Sequence, residues 1–177
     1  MRIQGHIAEG LLAGAATVLL VQPEPAIADS VVVISGIAGG LPDLDALFYF
    51  AGRRTFRIGT DFRHHTWVTH TFPFYLIPAL AAYLGGEFMG NWHLQLYSLV
   101  FALATTLHLL QDMHGSGDGI MLWYPFNRRM VGWQLTGTHG PEWLADYLKG
   151  PVYKVELVAN SLALTWVAWY VASRLAG

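Results

Sequence analysis

The sequence contains no cysteine and few charged residues. Without cysteine the chain can form neither a disulfide nor a thiolate zinc site, and it has no cysteine nucleophile. Charged residues make up 12% of the sequence, about half of the ~25% that is usual in soluble domains. The formal net charge of −2 shows no basic excess, so the composition does not indicate nucleic acid as a partner. With so few polar groups, the surface suits lipid or a large partner better than water.

Hydrophobic residues make up 54% of the chain and concentrate in five apolar stretches. Each stretch is close to or below the ~17–25 residues of a spanning helix, and flanking aromatic residues can extend it into the membrane interface. We predict an all-α, multi-pass membrane bundle of about five apolar helices, forming a single domain over residues 1–177. The alternative is a soluble all-helical core. The stretches are 7–21, 26–41, 71–84, 93–110 and 157–172.

Glycines four residues apart occur in the first two stretches, as Gly10 with Gly14 and Gly36 with Gly40. Small residues at this spacing allow two helix backbones to approach closely in lipid. The pattern predicts close helix contacts at these glycines, and chance in a glycine-rich chain is the alternative.

The positive charges predict how the chain crosses the membrane. Lys and Arg are absent from the connections at 22–25 and 85–91, but they are frequent in the connections that follow the second and fourth stretches. Because loops rich in Lys and Arg stay in the cytoplasm, we expect the N-terminus inside and the C-terminus outside the cell membrane. The charges that decide this are Arg53, Arg54, Arg57, Arg63, Arg128, Arg129 and Lys149.

Eight histidines are present against ten Lys and Arg together, and several lie at the cytoplasmic ends of the predicted helices. Histidine and aspartate side chains that are buried near lipid are costly unless they are paired or bind a metal. His108 and Asp112 are four residues apart, so they project from the same side of a helix. We predict one metal centre formed by His6, Asp43, Asp45, His65, His70, His108 and Asp112.

Each of these residues has an ordinary explanation when it is taken alone. His6 can be an interfacial histidine, Asp43 can cap a helix, and His108 can be a hydrogen-bonded core residue. These explanations do not account for the convergence of four separate groups on one face, which the Lys and Arg pattern predicts without reference to histidine.

The residue types and their number also bear on the metal. Ligand sets of His and Asp without sulfur suit zinc, with manganese and iron as alternatives. Seven candidate ligands exceed the four of one tetrahedral site, so two or more metal ions are expected.

Five short runs resemble the motifs of the YdjM family, which comprises membrane-bound hydrolases with a metal centre. The runs are Gly5-His6, LPDLD at 41–45, HTWVTHT at 65–71, HLLQD at 108–112 and GIMLWYPF at 119–126. The resemblance covers about residues 5–126 and implies metal-dependent hydrolysis, with a distant similarity to zinc-dependent phospholipase C. Thr71 replaces the serine that is usual after the second histidine, and Thr66 and Trp67 replace a basic residue and glycine, which puts the substrate contacts in question.

A site at headgroup level predicts a membrane lipid or another phosphorylated amphiphile as the substrate. We expect Glu9 or Asp118 to act as a general base, and Arg63 or Arg128 to hold a phosphate. The alternative function is metal binding without hydrolysis, in a transporter, a sensor or a scaffold. The sequence leaves the oligomeric state open.

Overall fold

The structure, a computed structural model, describes residues 2–53, 64–115, 119–133 and 143–176. Short 3₁₀ turns at Leu41–Leu44, His64–Thr66 and Val68–His70 connect some of its helices. Within the described ranges the β-structure is limited to one isolated bridge between Ile120 and Val131. The α-helices are α1 (Ile3–Val21), α2 (Pro25–Gly40), α3 (Asp45–Arg53), α4 (Phe72–Phe88), α5 (Trp92–Gly115), α6 (Trp143–Lys149) and α7 (Pro151–Ala176).

The prediction of an all-α bundle is confirmed, because each of the five apolar stretches falls, to within one residue, in its own helix: α1, α2, α4, α5 or α7. Several of these helices are longer than the stretches, since they continue through polar residues such as Glu156 and His114. In the described part of the chain, four helical segments are long and apolar enough to cross a membrane: Ile3–Val21, Pro25–Leu44, Trp92–His114 and Pro151–Ala176. Helix α4, with 17 residues, is slightly shorter.

Helices α1 and α2 form an antiparallel hairpin in which glycine allows close backbone contact. A Cβ atom on Gly10 would overlap the carbonyl oxygen of Ser35 and lie 3.0 Å from the Cα atom of Gly39. A Cβ atom on Gly39 would overlap the carbonyl oxygen of His6. The predicted close helix contact is therefore present at Gly10, and it brings the start of α1 beside the end of α2.

One end of the bundle, which we call the histidine end, collects the starts of α1, α4 and α7 and the ends of α2 and α5. Asp112, near the end of α5, lies beside His6 of α1 and His70 before α4. At the opposite end, α4 and α5 are joined by a tight turn in which Gly90 has a φ of +63°, a conformation that glycine adopts without strain. The apolar helices thus alternate in direction along the chain.

Ion pairs hold α7 to its neighbours at both ends of the bundle. At the histidine end, the fully buried Glu156 accepts hydrogen bonds from Nε of Arg2, at 2.7 Å, and from the hydroxyl of Tyr147. At the opposite end, Arg174 lies 2.8 Å from the exposed carboxylate of Asp29. Between these contacts only 17% of the apolar part of α7 is buried, as expected of a helix whose outer face meets lipid.

Candidate metal centre

Four parts of the chain bring ligand-type side chains to the histidine end. His6 lies in the first turns of α1, and Asp43 lies in the 3₁₀ turn that follows α2. The two turns before α4 provide His65 and His70, and the last turns of α5 provide His108 and Asp112. Antiparallel packing therefore places residues that are distant in sequence within one buried cluster.

These six residues form two groups that share Asp112. The first group contains His6, Asp43, His108 and Asp112, and the second contains His65, His70 and Asp112. Within each group, one ligand atom from every residue lies within 4.8 Å of the others. The histidine end therefore contains a His and Asp cluster that could hold a metal ion, with Asp112 at its centre.

The spacing of the nitrogen and oxygen atoms suits metal coordination. Nε2 of His108 lies 3.0 Å from Oδ2 of Asp112, and Nε2 of His70 lies 3.5 Å from the same oxygen. Nε2 of His6 is 3.2 Å from Oδ1 of Asp112. Ligand atoms at about 2 Å from a tetrahedral zinc ion are about 3.3 Å apart. His65 is more distant, with Nε2 at 4.0 Å from Oδ2 of Asp112.

The other ring nitrogens of three histidines face polar groups outside the two ligand groups. Nδ1 of His108 is 2.6 Å from the carbonyl oxygen of Gly39, and Nδ1 of His6 is 2.8 Å from Oε1 of Gln111. Nδ1 of His70 lies 3.3 Å from Oγ1 of Thr69, and Oδ2 of Asp45 is more distant at 3.7 Å. Hydrogen-bonding partners of this kind orient a metal-binding imidazole and select the tautomer that leaves Nε2 available.

The electrostatics of the cluster favour a cation. Burial opposes a positive charge on His70, but the nearby carboxylates of Asp112 and Asp43 outweigh burial and raise its pKa to about 9. Burial also raises the pKa of Asp45 to about 6. Several carboxylates thus share a buried space in which a positive charge is stabilised, whether it is carried by an imidazolium or by a metal ion.

The remaining predicted site residues occupy different places. Asp45 is fully buried beside His70 but belongs to neither ligand group. Glu9 lines two cavities of about 420 and 350 Å³ that α1 forms with α7 and with α5 and α7, and it also lies outside both groups. Arg128 is exposed, with its guanidinium 5.7 Å from the centre of the Tyr124 ring. Asp118 and Arg63 lie outside the described residues.

Two other histidines take no part in either ligand group. His93 lies at the opposite end, with its ring 4.3 Å from that of Trp92. Nδ1 of His114 is 2.6 Å from the carbonyl oxygen of Leu110, and the His114 ring lies 4.2 Å from that of Trp133. Both have ordinary structural contacts, and His93 provides a control for experiments on the cluster.

Sequence reasoning missed the groups that contact the ligand residues from outside. Gln111 lies inside the HLLQD run, so its position next to Asp112 was a usable signal. The carbonyl oxygen of Gly39 has no signal in the sequence, because every residue carries one. The contact between Arg2 and Glu156 was also not apparent, since the two residues are 154 positions apart.

The comparisons with known proteins give one match. A model of the family described as YdjM inner membrane protein matches residues 1–176, which extends well beyond the motifs at 5–126. No curated protein and no solved structure matches the chain. Together with the long apolar helices, the match supports a membrane location. The chain therefore belongs to the YdjM family of inner membrane proteins.

Proposed function

We propose that the protein is a membrane-bound hydrolase that uses two metal ions to cleave a phosphoester in a lipid or another amphiphile. The observation that carries this proposal is Asp112, a buried carboxylate that is common to both ligand groups. A carboxylate offers two oxygens, so it can contact two metal ions at once. In two-metal hydrolytic sites the ions lie about 3.5–4 Å apart and act on the attacking and leaving oxygens.

We propose zinc as the metal, because imidazole and carboxylate ligands without sulfur suit this ion, and manganese and iron are the alternatives. In this proposal His6, Asp43 and His108 would hold one ion, His65 and His70 would hold the second, and Asp112 would serve both. Asp45, with Oδ2 3.7 Å from Nδ1 of His70, adds negative charge beside this ligand. When bound, zinc would supply a Lewis acid and lower the pKa of a coordinated water towards neutrality.

The reaction is hydrolysis, in which an oxygen of water forms a bond to phosphorus and the phosphorus–oxygen bond to the leaving alcohol breaks. A general base accepts one proton of the water and returns it to the leaving alkoxide, which departs as the alcohol. Glu9 and Asp118 remain candidates for the base, and Arg63 and Arg128 remain candidates for holding the phosphate. The position of the cluster at one end of apolar helices supports a substrate whose reactive group lies at headgroup depth.

The protein purified in detergent tests the proposed reaction. We expect about two zinc ions per chain and release of phosphate or a phosphorylated headgroup from at least one phospholipid or phosphorylated polyisoprenoid. A chelator should abolish this activity and added zinc should restore it. Metal-loaded protein that cleaves no amphiphilic phosphoester would instead support metal binding without hydrolysis.

The absence of cysteine allows a direct test of orientation, because a single introduced cysteine is then the only thiol. Phe126 lies in the segment after α5, on the side of the histidine end, and Phe88 lies at the opposite end. Their side chains are 78% and 93% exposed. If the histidine end is cytoplasmic, Phe88→Cys should react with a membrane-impermeant maleimide in intact cells. Phe126→Cys should react only after the membrane is opened. The reverse labelling pattern would place the site on the outer face.

A further inference from the structure

We propose that Gln111 is a positioning residue whose side-chain oxygen holds His6 in its metal-binding tautomer. Oε1 of Gln111 lies 2.8 Å from Nδ1 of His6, and Nε2 of His6 faces Asp112. The inference rests on the metal centre of the proposed function, and it identifies a residue outside both ligand groups that sets the affinity of one of them.

The tautomer of His6 follows from the needs of a metal. A neutral imidazole carries one proton, on either Nδ1 or Nε2. A metal ion binds a nitrogen through its lone pair, so binding at Nε2 requires the proton to be on Nδ1. The N–H at Nδ1 then needs an acceptor, and Oε1 of Gln111 is at hydrogen-bonding distance.

Burial makes this acceptor important. His6 is only 1% exposed, so water has little access to Nδ1, and a buried donor without an acceptor is unfavourable. Without Gln111 the proton would be better placed on Nε2, where it could be donated to Asp112 at 3.2 Å. In that tautomer Nε2 cannot bind a metal ion. The Gln111 oxygen therefore opposes a competing, metal-free arrangement of the same ring.

The position of Gln111 on α5 explains how one helix supplies both metal-ligand residues and the hydrogen-bond acceptor of His6. His108 and Asp112 project from one side of α5, and Gln111 follows His108 by three residues on a neighbouring part of the helix surface. The His6 ring stacks on the His108 ring with their centres 3.7 Å apart. Helix α5 thus supplies two ligand residues of the first group and the acceptor for a third ligand residue from α1.

Two substitutions of similar size separate the hydrogen bond from packing. Gln111→Glu keeps an oxygen acceptor, and Gln111→Met keeps the length of the side chain without it. Gln111 lines a cavity of about 350 Å³ together with Glu9 and His114, which leaves room for either side chain. Gln95→Met is the matched control, because Gln95 is also on α5 but bonds to Glu87 at the opposite end.

The measurement is the zinc dissociation constant of the full-length protein in detergent, obtained by competition with a chromophoric chelator. We expect Gln111→Met to weaken one of the two zinc sites by about 10–100-fold, the usual effect of removing an outer partner of a metal-binding histidine. Gln111→Glu should bind at least as tightly as the wild type, because an anionic acceptor increases the basicity of His6. Gln95→Met should bind like the wild type.

The possible results separate this inference from the proposed function. Equal zinc affinity in Gln111→Met and the wild type would overturn the positioning role alone, and so would equal weakening in the Met and Glu variants. A wild-type protein that binds no zinc would overturn the metal centre, and the inference with it. Thermal unfolding of the metal-free variants checks folding: a metal-free Tm of Gln111→Met equal to that of the wild type, together with weaker zinc binding, assigns the effect to the metal site, whereas weaker zinc binding that only accompanies a lowered metal-free Tm would overturn the positioning role.

Discussion

Replacing Asp112 with Asn should remove essentially all bound metal, a larger loss than any other single substitution in the cluster should cause. Asp112 belongs to both ligand groups and is only 2% exposed. Water therefore has little access to the site and cannot replace the carboxylate as a metal ligand. By contrast, His65→Ala removes a residue of the second group only and should leave about one ion per chain. Elemental analysis of the purified variants gives the number of metal ions bound per chain in each.

The ligand residues should also behave as a unit. Asp112→Asn alone already destroys the shared site. The double variant with His70→Ala should therefore retain scarcely less metal than Asp112→Asn. His93→Ala is the control, since His93 lies at the opposite end against Trp92, and it should retain the full metal content. Full occupancy in both Asp112→Asn and His70→Ala would exclude the shared centre, and the proposed hydrolase mechanism would fail with it.

Glu156→Gln should give the largest loss of stability at a position outside the ligand groups. Glu156 is fully buried and receives hydrogen bonds from Arg2 and Tyr147. The Arg2 side chain is 33% exposed and can be partly hydrated, so the main loss is that of hydrogen bonds to the Glu156 carboxylate, and we expect a loss of about 2 kcal/mol in the free energy of unfolding. For a chain of this size, that loss lowers Tm by about 4–8 °C.

The second ion pair of α7 provides the matched comparison for thermal unfolding in detergent. Asp29 and Arg174 lie 2.8 Å apart, but the Asp29 side chain is 54% exposed, so water and salt screen the interaction. Asp29→Asn should therefore change Tm only slightly, and less at high salt. Equal effects of Glu156→Gln and Asp29→Asn would show that burial does not determine the strength of these contacts.

Much of the fold could be predicted because it depends on composition and on the order of segments. Five apolar stretches separated by Gly, Pro or charge predicted five helices, and α1, α2, α4, α5 and α7 are those helices. Their ends were harder to predict, because polar residues such as Glu156 and His114 continue a helix when tertiary contacts satisfy them. The sequence also predicted that the ligands share one end, because successive helices run in opposite directions and the ligands lie at alternate helix ends.

The roles within the cluster were less accessible from sequence. Asp45 and Asp43 are two residues apart, yet Asp43 joins a ligand group and Asp45 lies outside both groups, with Oδ2 3.7 Å from Nδ1 of His70. The 3₁₀ turn at Leu41–Leu44 and the start of α3 direct these two carboxylates differently, whereas an extended chain would have placed them on one side. Glu9 follows His6 by three residues but lines the cavities beside α7.

The sequence by itself determined that the chain is a helical membrane protein and that its histidines and aspartates gather at one end. Both follow from hydrophobicity and from the direction of successive helices, which are properties of residue order. The tertiary structure alone decided that Asp112 is shared, that Gln111 and Gly39 face the outer nitrogens of two histidines, and that Glu156 pairs with Arg2. These depend on which helix faces meet and how each side chain is rotated, and the packing of distant segments sets both.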